Sequence, residues 1–336
     1  MSTERMTRQP MRIIKANEIK KYYSMQMAID AMHRAFSLLS SKDSFVPVRF
    51  VTKLPSGKLL MLFKPAYVEN DNRISVKILT QREKSCILGI PVIQGLVMVV
   101  DSVTGEILSI MDGEYITALR TGAASGLATR FFARQDSEVL ALFGCGAQGI
   151  TQLEAVLCER EIKKVFVFDK NKNRANRLIE EMQEKTKAEL VFSRDTSVLS
   201  DADIICTATN STNPLFRREE VKNGVHINAI GSFQPHMKEL DPFLFREAKI
   251  YFDQRESCLR ESGDFIKPLS DGLLTEKQII GEIGDYCLNK IPGRESEDEI
   301  TIFKSVGVAI QDYAVATDIY NFALNEGFGV ELNLFD

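Results

Sequence analysis

Three features of this 336-residue chain combine residue types and spacings that could do chemistry. The first is Gly144-Cys-Gly-Ala-Gln-Gly149. An apolar run, Val139–Phe143, leads into it and an apolar-faced helix follows, so the glycines fall where a strand turns into a helix. There Gly144 permits a tight turn, Gly146 lets a pyrophosphate approach the backbone, and Gly149 lets helix and strand pack closely. Ala147 and Gln148 open the helix, whose free N–H groups and partial positive charge suit phosphates. The second feature is Asp169, which ends the next strand 20 residues beyond Gly149 (169 − 149). An acid at that place accepts the ribose hydroxyls and repels a 2′-phosphate. The pair predicts a dinucleotide site with NAD(H) preferred, and Lys170, Lys172 and Arg174 leave NADP(H) open. The bland alternative is a glycine turn beside a solvated acid.

The third feature is Lys77 in Ile74-Ser-Val-Lys-Ile-Leu79. A lysine on an apolar strand is costly unless paired or functional, and burial lowers its pKa. A snorkelling or edge-strand lysine fits the sequence equally. Other reactive residues say less. His226 precedes an apolar strand and reads as structural, His236 follows Gln234-Pro235, and nothing marks Cys145 as a nucleophile. Three scattered histidines and six cysteines without a C-x-x-C pair predict no metal site and no disulfide framework, and so a reducing cytoplasm.

The elements that must hold these groups follow from periodicity. Ser24–Leu39 reads as an amphipathic helix, followed by short strands at Val48–Val51, Lys58–Phe63, Ile74–Leu79, Gly95–Val100 and Ile107–Met111, the last after a turn at Ser102–Glu106. Ile116–Phe132 is a helix rich in small residues. Strands and helices then alternate: Val139–Phe143, Gln148–Cys158, Lys164–Phe168, Asn173–Lys187, Glu189–Phe192, Ile204–Thr207, Val225–Ile230 and Ile250–Phe252. Thr301–Phe328 reads as one long helix packing back on the N-terminal part. The fold class is α/β: a Rossmann-type, doubly wound parallel sheet inserted into a second, α+β unit. The expected division is 1–125 with 303–336 against 126–302.

Composition excludes other classes. A net charge of −4 carries no nucleic-acid footprint, and no apolar run is long enough to span a bilayer. Met1–Arg12 is polar and basic, a frayed tail or cytosolic start rather than a signal peptide.

Thr117-Ala-Leu-Arg-Thr-Gly-Ala-Ala-Ser-Gly-Leu-Ala128, the glycine turn, Asn228-Ala-Ile-Gly231, Ile291-Pro-Gly-Arg294 and Ser305-Val-Gly-Val-Ala-Ile-Gln-Asp312 resemble the ornithine cyclodeaminase/μ-crystallin family over nearly the whole chain. The resemblance implies a homodimer that exchanges hydride between a nicotinamide and the Cα of a small imino or amino acid. It makes Arg49 and Arg120 carboxylate holders, a role that suits a guanidinium fork, although Arg120 alone would also read as a helix-surface arginine. It makes Lys77 the proton donor or acceptor at the substrate. It puts Arg120, Thr121, Thr207, Thr209, Ile230, Gly231, Ser232, Lys238 and Ser305 beside the cofactor. Cyclodeaminases of the family carry Gly-Gly-Asp where this chain reads Gly231-Ser-Phe233, and Phe233 offers no charge to an amine. The implied activity is therefore NAD(P)H-dependent reduction of a cyclic imino acid such as Δ1-pyrroline-2-carboxylate. An alanine-like amino-acid dehydrogenase, an ornithine cyclodeaminase and a non-catalytic binding protein like μ-crystallin are the alternatives.

Overall fold

In the computed structural model, residues 9–55, 59–82 and 91–334 are described. The strand start at Lys58, Cys86 and Met1–Arg8 of the expected tail lie outside them. The chain opens with β1 (Met11–Ile14), α1 (Ala16–Tyr22) and α2 (Met25–Ser41). Ser24 caps α2 by accepting from the Met27 N–H, and Lys42 ends it in the left-handed conformation. Strands β2 (Ser44–Phe45), β3 (Phe50–Lys53), β4 (Leu59–Val68), β5 (Arg73–Arg82), β6 (Ile93–Asp101) and β7 (Ile107–Asp112) follow, then α3 (Gly113–Phe132). They form a sheet in the order β1-β7-β6-β5-β4-β2, with β3 also on β4. Its pairs are antiparallel except β1–β7.

Period-two alternation sets which side chains this sheet turns inward. On β5 the buried positions are Ser75, Lys77 and Leu79, while Ile74, Val76 and Ile78 on the other face are half-exposed. On β4, Lys64, Ala66 and Val68 are the buried set, and Lys64 lies opposite Lys77 in the ladder. The polar-looking register is thus the inward one. Phe45 and Phe50, 67% and 62% exposed, and Val48 continue an apolar outer surface.

The second sheet is made of β8 (Val139–Phe143), β9 (Lys164–Phe168), β10 (Glu189–Phe192), β11 (Ile204–Thr207), β12 (His226–Ala229), β13 (Lys249–Phe252), β14 (Ile279–Glu282) and β15 (Thr301–Lys304), in the order β10-β9-β8-β11-β12-β15-β13-β14. Every pair is parallel. Helices α4 (Ala147–Glu159) and α5 (Lys172–Gln183) cover one face through Leu153, Val156, Leu178 and Met182. Phe216, Leu244, Phe245 and Phe265 cover the other, as a parallel sheet requires. The connecting helices α6 (Arg255–Glu261), α7 (Gly263–Ser270) and α8 (Ile283–Cys287) lie in the β13–β15 half. Strand order reverses between β8 and β11, which opens a crevice at their carboxyl ends. Last come α9 (Ala309–Glu326) and β16 (Val330–Leu332), the latter antiparallel to β1 in the first sheet.

The structure revises several expectations. Thr301–Lys304 is a strand between β12 and β13, so the C-terminal helix begins only at Ala309. Its Thr-Ile-Phe-Lys run is buried on both faces and has no helical stripe to show. Met11 and Arg12 belong to β1, not to a tail: the Arg12 guanidinium donates to the Phe328 carbonyl at 2.6 Å. The strand expected at Val48–Val51 starts at Phe50, leaving Arg49 before it, and the helix expected to Lys187 stops at Gln183. The 125/126 and 302/303 boundaries fall inside α3 and β15.

Candidate functional site

Turn β8–α4 has the shape its glycines suggest. Gly144 has φ +98°, a left-handed conformation that favours glycine. A Cβ on Gly149 would lie 1.9 Å from the Gly144 carbonyl oxygen, so only glycine lets α4 start this close to the turn. Gly146 is the N-cap and supplies no side-chain cap, leaving the first-turn N–H groups of Ala147, Gln148 and Gly149 directed outward. Asp169 sits across the crevice at the end of β9. Its carboxylate accepts from the Cys145 N–H at 2.9 Å and the Asn171 N–H at 2.8 Å. Gly144, Gly146 and Asp169 line a cavity of about 820 Å³, with Lys170, Arg174 and Arg194 on its rim. An open helix N-terminus, a strand-end acid and this volume fit a dinucleotide.

A second cavity, of about 420 Å³, meets the first at Ala208, Thr209 and Phe233. It brings together Arg49, Lys77, Arg120, Thr121, Gln148, Thr209, Ile230, Gly231 and Ser305 from segments far apart in sequence. Lys77 is fully buried in an interior strand, not at an edge. Its Nζ donates to Asp312 Oδ1 at 2.6 Å and Thr117 Oγ1 at 3.2 Å. Arg120, also buried, donates to the same Oδ1 at 3.1 Å and to Gln311 Oε1 at 2.8 Å. Arg49 pairs with Glu261. Burial lowers the Lys77 pKa to about 8 against the counter-pull of Asp312. Burial alone would raise the Asp312 carboxyl, but Lys77, Arg120 and Lys64 hold it below the usual carboxylate range. Burial also lowers Arg49, opposed by Glu261.

Two buried carboxylates shape the walls. Glu239 accepts from Thr207 Oγ1 at 2.8 Å, from Thr209 N–H and Oγ1 at 2.7 Å each, and from the Gly231 N–H at 2.8 Å, tying together the ends of β11 and β12. Asp253 accepts from Ser305 Oγ at 2.7 Å and from the Val306 and Gly307 N–H groups at 3.0 and 2.8 Å. Three expected contact residues serve this framework instead of lining either cavity. Thr207 spends its hydroxyl on Glu239. Ser232 is fully buried and donates to the Met237 carbonyl at 2.8 Å. Lys238 joins a bridge with Thr212. His226 is structural, as expected: its ring nitrogens meet Thr301 Oγ1 at 2.9 Å and Asn228 Oδ1 at 3.2 Å, and burial lowers its pKa to about 3. His236 is exposed and lines neither cavity. Burial pushes the Cys145 thiol up to about 12, the opposite of an activated nucleophile. No group of metal-ligating side chains occurs among the described residues.

Sequence reasoning missed Lys64, Asp312, Glu239, Asp253 and Glu261 as site residues. Lys64 carried a readable signal, a lone cation inside Leu59-Leu-Met-Leu-Phe-Lys-Pro65. Asp312 stood in the quoted C-terminal motif. The others look like ordinary surface acids until the fold buries them.

The cavity therefore offers an anion clamp and a buried, acid-paired lysine. Beside them on the same inward sheet face lie Val51, Leu60, Leu62, Leu79 and Ile93, and Phe233 lines the cavity from the loop after β12. Comparison with known proteins gives these findings. The sequence profile of the ornithine cyclodeaminase/mu-crystallin family matches residues 10–327. A Δ1-pyrroline-2-carboxylate reductase of Bacillus cereus is 36% identical over 95% of this chain and 98% of its own. The structure of Thermococcus litoralis Δ1-pyrroline-2-carboxylate reductase in complex with NADH and L-proline has a TM-score of 0.91 and 34% identity, covering 95% of this chain and 99% of that one. An archaeal alanine dehydrogenase dimer with bound NAD has a TM-score of 0.89 and 30% identity, covering 97% and 99%.

Proposed function

The chain belongs to the ornithine cyclodeaminase/mu-crystallin family, and we propose that it is an NAD(P)H-dependent reductase of a cyclic imino acid, Δ1-pyrroline-2-carboxylate or a related ketimine, yielding the L-amino acid. One observation carries this reading: Lys77 and Arg120, joined by Asp312, open into a cavity that is apolar beside them, along Leu62, Leu79 and Ile93 of the same sheet face and at Phe233. A small ring with one carboxylate and one basic nitrogen matches that division. The Bacillus and Thermococcus reductases support the choice of substrate.

Bound in the β8–β11 crevice, the reduced coenzyme supplies a hydride for the C=N carbon. The chain's own residues do the rest. Arg49 and Arg120 hold the carboxylate, and Lys77 keeps the imine nitrogen protonated, because an iminium is the better hydride acceptor. Gly144, Gly146 and the first turn of α4 hold the diphosphate. Asp169 takes the adenosine ribose, favouring NADH, while Lys170, Arg174 and Arg194 leave room for NADPH. Ile230, Gly231, Thr209 and Ser305 flank the nicotinamide end. Cyclodeamination fits less well, since Phe233 carries no charge and Glu261 is engaged by Arg49.

The test is coenzyme oxidation with Δ1-pyrroline-2-carboxylate, using NADH and NADPH in parallel, beside ammonia release from L-ornithine. Turnover of the imine with NADH ahead of NADPH is expected. Proline formation from ornithine without imine turnover would overturn the reading.

The protein acts as a homodimer in this proposal, and the apolar outer face of β4–β5, with Phe45 and Phe50, is the surface a second copy covers. The dimer of the archaeal alanine dehydrogenase supports it. Sedimentation should give twice the 37.8 kDa chain mass, and a monomer at micromolar concentration would reject the proposal. We read 1–125 with 303–336 as the substrate and dimerisation unit and 126–302 as the dinucleotide unit, with the borders moved to the ends of α3 and β15 so that neither element is cut. A cytoplasmic setting suits described cysteines that are all free. No described helix is long and apolar enough to cross a membrane.

A further inference from the structure

Beside the substrate cavity lies a recess of about 50 Å³, and Arg49 and Lys64 line both. A water needs about 10–15 Å³, so the recess takes a particle of that size with one or two waters. Val308 and Ala309 set the start of α9 against it, and an 18-residue helix brings partial positive charge to that end. Gln254 and Ser257 add polar side chains. Ser257 donates to the Gln254 side-chain oxygen, so the Gln254 amide nitrogen keeps its two N–H groups, with no acceptor among the described residues.

The charges around this recess do not balance. Lys64 is 4% exposed, and its Nζ donates to the Gly307 carbonyl at 3.0 Å, which leaves two of an ammonium's three donors. No carboxylate lies within ion-pair distance of it among the described residues, whereas Lys77 and Arg120 share Asp312 and Arg49 has Glu261. Glu261 also serves Arg260, and Glu256, the other acid at the recess, pairs with Arg260 and is 73% exposed to water. A water satisfies the spare donors of Lys64 but brings no charge. Burial, then the neighbouring Lys77, Arg120 and Arg49, hold the Lys64 pKa far below that of a free lysine, and Asp312 opposes them only in part. An anion beside Lys64 offsets both the burial and the repulsion.

We propose that this recess is a binding site for a small monovalent inorganic anion of the halide class, held by Lys64, Arg49 and the first turn of α9. Halides are close to water in size and carry the one charge that the surroundings lack. The ion is neither substrate nor coenzyme, and it takes no part in a covalent step. Its arrival favours the ammonium form of Lys64, so binding takes up protons and weakens as pH rises.

Bromide is the probe for position and chloride for affinity, both with the full-length protein. Crystals soaked in bromide should show an anomalous peak in the recess, between Lys64 Nζ and Arg49 on the Gln254 side. Lys64→Met, of similar length and apolar, should lose that peak, and Lys64→Arg should keep it. In solution, chloride-35 line broadening in a gluconate background should report binding to wild type that is stronger near pH 7 than near pH 9. Lys64→Met should weaken it about tenfold or more, the scale of one charge-assisted hydrogen bond. A recess that holds only water in bromide, a peak confined to the Arg120 side of the substrate cavity, or a peak and line width that Lys64→Met leaves unaltered would each overturn the proposal. If Lys64→Met fails to fold, judged by loss of NADH binding, the wild-type bromide map and the Lys64→Arg variant decide alone. None of these readouts needs turnover, so the anion site and the reductase reading fail separately.

Discussion

Lys77→Ala should lower kcat/KM for the imine by about 10²–10⁴-fold, the range for removing a positioned proton-transfer group, while NADH binds as in wild type. The separation is expected because Lys77 lies on β5 in the first sheet, whereas the phosphate turn and Asp169 lie in the second. The pH profile is a further readout. Burial lowers Lys77 to about 8, so the ammonium form predominates below that value. Reduction needs this form, so kcat/KM should be level below about pH 8 and fall above it. NADH fluorescence titration and initial rates from pH 6 to 10 check both halves. Full activity in the alanine variant, or an unchanged falling limb, would remove Lys77 from the chemistry.

Asp312→Asn should be the most costly single change to the cluster. The carboxylate is fully buried, and one oxygen accepts from both Lys77 and Arg120. Neutralising it leaves those cations unpaired, which typically costs about 3–5 kcal/mol. It also removes the influence that holds the Lys77 pKa up, so the falling limb of the rate profile should move to lower pH. Asp312 is held below the usual carboxylate range. Its stabilisation is therefore present above the unfolded carboxyl pKa and is lost as pH falls through the lower, folded value. Urea titration of wild type and variant at pH 7 and in steps from pH 4 down to pH 2, through the window below the unfolded carboxyl pKa of about 3.9, measures this. Equal stabilities at pH 7, with an unmoved rate profile, would show that the three groups are not coupled.

Local rules made much of this molecule readable. Glycine spacing after an apolar strand, with an acid one strand later, identified the dinucleotide turn, because every requirement there is met within 26 consecutive residues (169 − 144 + 1). The same holds for the parallel alternation of β8–β12. What failed were readings that needed to know which face is inside. On β5 the apolar residues Ile74, Val76 and Ile78 point outward and Lys77 inward, opposite to the usual meaning of alternation. The inward face contains an ion cluster, and in the dimer proposal the outer face meets a second copy. Thr301–Lys304 looked helical because a strand covered on both faces shows no period of its own.

Sequence by itself pointed to the glycine turn, Asp169 and Lys77, and the family resemblance added the two arginines and Phe233; the structure places all of them along two adjoining cavities. Tertiary structure alone decided which of the remaining polar residues count. Thr207, Ser232 and Lys238 turn into framework, while Lys64 and Glu261 line the cavity and Asp312 backs Lys77 and Arg120. Lys77 and Asp312 are 235 residues apart, and no local pattern foretells that pairing. The charge that makes each tolerable is supplied by the other, through a low-dielectric interior that exists only once both ends of the chain have come together.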